Sequence, residues 1–224
     1  VRVNIGQPGA RVLRDKPMLL AINQQQADVA GWLARLKQWV PASSAPSGGA
    51  VVGPPFLPQE WWVDGQLARA DIGSANLKAV HFTLGPVKDA TEVMIDSPDV
   101  MGVIRLPVTD RQPIDAKFAR IHWSGKSSDL SPEPDARQDK AIMEAIPWLT
   151  FSCVDCRFGE LPLGEVKGEL LPGANKLTLK GLDMRLAGSQ LTGAVDWLAE
   201  PGRMQTHARA KITSKNSELL LKRI

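Results

Sequence analysis

From Trp61 onward the chain is a succession of short apolar-rich runs cut by glycine and proline, a pattern that commits it to strands and turns. Strands are predicted over 62–70, 75–84, 91–96, 100–106 and 115–123. They resume over 149–158, 165–171, 175–180, 182–187, 190–197 and 204–213. Upstream, Val1, Val3 and Ile5 alternate and Met18-Leu19-Leu20-Ala21-Ile22 is an apolar run, so residues 1–23 also read as strand material. One amphipathic helix interrupts the pattern. Asp28 can cap it, Val29, Trp32, Leu33 and Leu36 share a face, and Pro41 ends it. A short helical turn fits 139–146, before Pro147. The expected fold is mainly β, with repeated, meandering antiparallel strands and short helices.

Two stretches are poor in strand signal. Pro41 to Pro58 is rich in Pro, Gly and Ser and reads as a loop or linker, and Ser124 to about Asp139 is a polar insert containing Ser-Pro-Glu-Pro-Asp. They divide the chain into 1–40 (strands plus the helix, closing a preceding repeat), a loop at 41–60, a β unit at 61–123, an insert at 124–147 and a second β unit at 148–224.

The second unit repeats the first at an offset of 91 positions. Leu163-Gly164 falls on Ile72-Gly73, and Met184 and Leu186 fall on Val93 and Ile95. Leu191, Gly193, Val195 and Trp197 fall on Val100, Gly102, Ile104 and Leu106. Residues two apart in a strand share a face. Val93, Ile95, Val100, Ile104 and Leu106, with Met184, Leu186, Leu191, Val195 and Trp197, are therefore expected to line one apolar surface. A repeated sheet unit points to an array whose units lean on their neighbours.

Little in the chain suggests catalysis, and no enzyme activity or cofactor is expected. There is no Gly-x-Ser-x-Gly elbow, phosphate-cradling glycine loop or His-Glu-x-x-His. The aspartates at 96, 99 and 110 sit in turns, where such residues bond their own backbone. Cys153-Val-Asp-Cys156 has a metal-like or redox-like spacing, but a structural zinc site needs four ligands and no second pair exists, so no metal is expected. This pair lies within a predicted strand, where residues three apart are ~10 Å apart and point to opposite faces. A disulfide there requires a bulge or tight turn; otherwise the two are small, half-buried thiols. Charge excludes another class. The 27 basic and 24 acidic residues are scattered, without the basic patch of a nucleic-acid binder. Trp61, Trp62 and Trp123 could stack on sugar, though core or sheet-edge packing is the commoner use of Trp.

Several stretches form a set: Trp62-Val-Asp-Gly-Gln-Leu-Ala-Arg-Ala-Asp-Ile-Gly, Val93-Met-Ile-Asp-Ser-Pro-Asp-Val-Met-Gly-Val-Ile-Arg-Leu-Pro, and Phe151-Ser-Cys-Val-Asp-Cys-Arg-Phe with Leu163-Gly164. Ser189-Gln-Leu-Thr-Gly-Ala-Val-Asp-Trp and the tail from Thr206 to Leu221 complete it. Together, in this order, they resemble the AsmA-like proteins of the Gram-negative envelope, and among them the YhdP-like branch. The resemblance implies strands stacked into an elongated, partly open β-groove with an apolar interior, in the periplasmic portion of a protein anchored in the inner membrane. It implies no catalytic residues. It also implies a bridge along which phospholipid acyl chains travel between inner and outer membranes, supporting outer-membrane integrity. The chain begins at Val1 and has no run of ~18 apolar residues, so it is expected to be a segment whose anchor lies elsewhere. Two readings compete with the lipid groove: a structural or interaction module whose strand faces close on each other, and a carbohydrate-binding sandwich using the Trp residues.

Overall fold

In the computed structural model, described for residues 2–6, 19–28, 61–72, 75–109, 111–123, 146–186, 188–200 and 203–214, strands make up nearly all of the described residues. The fold is mainly β, in two compact units, Val1–Asp110 and Arg111–Ile224.

The first unit holds β1 (Arg2–Gly6), β2 (Leu19–Asp28), β3 (Trp62–Ile72), β4 (Ala75–Val87), β5 (Ala90–Asp96) and β6 (Val100–Pro107). Each strand pairs with the next. The β1–β2 and β2–β3 ladders are parallel and the remaining ones antiparallel. The second unit holds β7 (Ile114–Trp123), β8 (Leu149–Phe158), β9 (Leu161–Gly173), β10 (Lys176–Leu186), β11 (Ser189–Glu200) and β12 (Arg203–Ser214). Here β7–β8 is parallel and every later pair antiparallel. Among the described residues no ladder joins the first and last strand of either unit, so neither unit closes into a barrel. The pairing is mixed where the sequence suggested antiparallel meanders alone.

The parallel pairs explain the two strand-poor stretches. Neighbouring parallel strands cannot be joined by a tight turn and need a connection of a dozen residues or more. The Pro/Ser/Gly-rich stretch at 41–58 lies in the connection from β2 to β3, and the polar insert at 124–139 lies in the one from β7 to β8. These stretches join adjacent strands of one sheet. They do not separate domains. The strand at 114–123, grouped in the sequence with residues 61–123, falls in the second compact unit. The expected helices after Asp28 and at 139–146 fall almost wholly outside the described residues, and none is seen within them.

Side chains directly opposite each other across a ladder share a face. In the first unit this places Leu20, Ile22, Val63, Leu67, Val80, Phe82, Leu84, Val93, Ile95 and Ile104 together. Strict alternation would soon end that stripe, because Arg69 follows Leu67 by two. The ladders instead skip Gln25/Ala68 and Ala68/Ala79, with Ala79 at φ +48°. The side chains exchange sides there. Leu67 and Ala70, three apart, are both buried against Leu77 and Val80, while Arg69, Asp71 and Asn76 turn to the other face. The second unit does the same. The Ala119/Val154 pair is skipped, and Cys153 and Cys156 are both buried with Val166, against Phe118, Ile121 and Phe151.

Candidate functional site

All ten candidate side chains are half-buried, and within its own unit each set lies on the apolar face. Val93 opposes Ile104 and Leu84, and Ile95 opposes Phe82 and Gly102. Leu106 lies opposite Thr91 on the same face, and Ile95 and Val100 pack on the Leu67–Ala70–Leu77–Val80 cluster. In the second unit Leu191 opposes Met184, Val195 opposes Leu179, and Trp197 opposes Leu177. Leu186 continues that face two residues beyond Met184, which packs on the Cys153–Cys156–Val166 cluster.

Register corrects the proposed correspondence. The turns before β5 and β10 place Asp89 and Asn175, 86 positions apart, at φ +59° and +57°, a region that Asp and Asn tolerate. Each of these residues accepts a backbone hydrogen bond: Val108 N–H, just past β6, donates to Asp89, and Ala199 N–H, in β11, donates to Asn175. The offset is therefore 86 through β3, β4 and the start of β5, and 91 only from β6 onward. On this register Val93 corresponds to Leu179 and Ile95 to Leu182, since Leu179 faces Val195 and Leu182 faces Gly193 as Val93 faces Ile104 and Ile95 faces Gly102. Met184 and Leu186 belong to an extension of the β10–β11 hairpin with no counterpart in β5. Gly181, at φ +62°, accommodates the slip between Leu179 and Leu182.

Sequence reasoning missed Phe82, Leu84, Leu177, Leu179 and Leu182 on these faces. The signal was available in the matched Asp and Asn turns. A second signal was a swapped pair: Gly65 lies opposite Phe82 in β3–β4, and Phe151 lies opposite Gly168 in β8–β9, again 86 positions apart. A Cβ on Gly65 would strike the Phe82 ring, and one on Gly168 would approach the Phe151 ring at 3.1 Å. One glycine and one phenylalanine fill this position in both units, on exchanged strands.

The opposite faces carry the ion pairs, in the first unit beside the buried Leu19 and Ala21. In the first unit Arg105 pairs with Glu92 at 2.9 Å and His81 Nε2 lies 2.8 Å from the buried Asp64 carboxylate. Arg69, with Gln26 and Asn76, holds the Asp71 carboxyl below its usual value. The second unit is denser. His122 and Arg157 lower Asp155; Gln190 and Lys167, helped by Arg185, lower Asp183; Thr178 and Lys176 lower Asp196. These contacts lie within hydrogen-bond distance but at the surface, where such pairs contribute little individually.

Cys153 and Cys156 form a disulfide with Cα atoms 5.9 Å apart, and the strand irregularity that such a bond demands lies between them. Among the described residues no group of three or more His, Cys, Asp or Glu side chains could hold a metal. Trp61 is buried, the Trp62 ring lies over Gly85, and Trp148 donates from Nε1 to Glu169 at 2.8 Å. These three are committed to packing and hydrogen bonding within the sheet. Among the described residues no helix is long and apolar enough to cross a membrane.

A family model described as YhdP protein matches residues 1–224, the full length of the sequence. The chain belongs to the YhdP family. YhdP proteins are a bacterial envelope family, consistent with the resemblance carried by the sequence motifs. No curated protein and no solved structure matches this YhdP-family chain.

Proposed function

We propose that this chain is a non-enzymatic segment of a periplasmic bridge that carries phospholipid acyl chains between inner and outer membranes, and so supports outer-membrane integrity. The observation that supports this reading most strongly is the asymmetry of each sheet. One face is a broad sweep of Val, Ile, Leu and Phe side chains, joined by Trp197 in the second unit, many of them left half-buried, and the other carries the ion pairs. An apolar surface that its own fold does not finish covering normally serves a ligand or partner. Each CH2 taken from water onto it gains about 0.8 kcal/mol. An acyl chain is the ligand that uses such a surface without asking for polar partners. On this reading Val93, Ile95, Val100, Ile104, Leu106, Leu179, Leu182, Met184, Leu186, Leu191, Val195 and Trp197 are wall residues with no chemical step to perform.

Native mass spectrometry of the chain, purified from envelope extracts without added lipid, tests this. Bound phospholipid, displaced by fatty acid and undisturbed by oligosaccharide, is the expected result. A chain that never retains lipid is a closed structural module, and one whose Trp fluorescence responds to oligosaccharide is a sugar binder. Either result overturns the proposal.

A further inference from the structure

The disulfide occupies a position that the first unit fills by packing alone. Leu67 and Cys153 stand 86 positions apart, as do Ala70 and Cys156, each pair flanking the skipped ladder position. Leu67 and Ala70 hold the irregular strand by burying against Leu77 and Val80. At the same two positions the second unit has a covalent bond between Cys153 and Cys156. Without the bond, β8 has an alternative: strict alternation from Cys153 turns Cys156 outward and brings Asp155 and Arg157 onto the apolar face. With it, Val154 bows out to 68% exposure and Asp155 meets His122 and Arg157 on the charged face. In the finished fold Cys153 is 2% exposed and Cys156 8%, beneath Phe118, Ile121, Phe151 and Val166. Thiol–disulfide exchange needs a thiolate to reach a sulfur, so these sulfurs are closed to it once β7, β8 and β9 have packed.

We propose that a disulfide-bearing oxidant installs the Cys153–Cys156 bond before β8 packs, and that this bond selects the strand's register and is then shielded by it. One cysteine thiolate attacks the oxidant's disulfide, forming a mixed disulfide and releasing one thiolate. The second cysteine thiolate then attacks the first cysteine's sulfur, closing Cys153–Cys156 and releasing the oxidant's other thiolate. The oxidant's disulfide is reduced to two thiols, which take up the two protons the cysteines lose. Such chemistry belongs to oxidising compartments.

The test uses the full chain, reduced in urea and refolded with or without glutathione disulfide, beside C153S/C156S and C153L/C156A. Hydrogen exchange is read on β3–β4 and β8–β9 peptides. Without oxidant, and in the Ser–Ser variant, β8–β9 amides exchange at least about tenfold faster while β3–β4 is unchanged. The Leu–Ala variant, which copies the first unit, protects β8–β9 with no oxidant. Dithiothreitol reduces the folded oxidised chain at least roughly tenfold more slowly than the chain in urea. If the Ser–Ser variant precipitates, the Leu–Ala variant decides alone. Equal β8–β9 protection with and without the bond, an unprotected Leu–Ala variant, or equal reduction rates in buffer and urea would each overturn the proposal.

Discussion

The first unit interrupts its ladder beside Leu67 and the second beside Cys153, and the two fillings have nothing chemical in common. One is a packed aliphatic cluster around Leu67, Ala70, Leu77 and Val80; the other is a disulfide under Phe118 and Phe151. A further difference lies in the backbone. Irregularity falls on Ala79 in the first unit and on Gly164 and Gly181 in the second. Yet both deliver the same result, an apolar face that continues past a point where simple alternation would bring in Arg69 or Asp155. The constraint common to both units is thus the side a residue faces. What fills the space behind it is interchangeable.

Substituting at the interruption breaks the comparison most severely. Val80 and Val166 are equivalent, 86 positions apart, and both are buried. Val80→Asp and Val166→Asp each bury a carboxylate with no partner, at a cost of about 4 kcal/mol or more. Hydrogen exchange should show each variant unfolding its own unit and sparing the other. Loss of both units together would show that they are one cooperative block.

The swapped aromatic pair gives a smaller, reversible effect. Phe82→Gly leaves two glycines face to face, for a loss of roughly 3 kcal/mol, the low end for a ring that is only half-buried. Adding Gly65→Phe reproduces the arrangement of Phe151 and Gly168 and should recover at least half of that loss in urea unfolding. No recovery would mean that the two ladders differ in twist at this point.

Ala79→Gly removes a Cβ from a left-handed conformation and should stabilise the first unit by about 0.5–1 kcal/mol, making it more like the second. Destabilisation would show that the exposed Ala79 methyl makes a contact worth more than the backbone relief.

Acid separates the units least. Asp155, Asp183 and Asp196 in the second unit, and Asp71 in the first, have carboxyls held below the ordinary 3.8 by their hydrogen-bond donors. A lowered folded value means the stabilisation is complete above the unfolded value and is lost as pH falls below about 3.8, through the folded values. A melting series from pH 5 to pH 2 should therefore weaken the second unit slightly more than the first. The reverse order would place the decisive carboxylates elsewhere.

Much of this was legible in the sequence. The β class and most strands from Trp61 onward follow from alternation and turn residues, because a sheet with one wet face writes its geometry with period two. The ladder interruptions at Ala68 and Val154 were not legible, because a skipped pair looks like a lapse in the pattern until its neighbours are known. For the same reason the fixed offset of 91 misassigned Met184 and Leu186: the Gly181 bulge and the longer β10–β11 hairpin add residues without breaking the apolar rhythm. Parallel pairing was hidden as well. The long connections it needs read as linkers, since nothing local in residues 41–58 or 124–139 announces that their ends return to adjacent strands. Cys153-Val-Asp-Cys156 did state its own condition, that a disulfide demands an irregular strand, and the structure meets it.

Whether the half-buried face is an open wall or an unfinished core is tested most directly at Ile104, whose side chain sits on that face between Val93 and its strand neighbours. Ile104→Asp, melted beside the parent and carrying a photocrosslinking residue at Val93, reports on fold and ligand together. An open wall lets water reach the new carboxylate, so the variant should stay folded within about 1 kcal/mol of the parent while phospholipid capture is lost. Collapse of the variant, together with a parent that captures no phospholipid, would contradict the account.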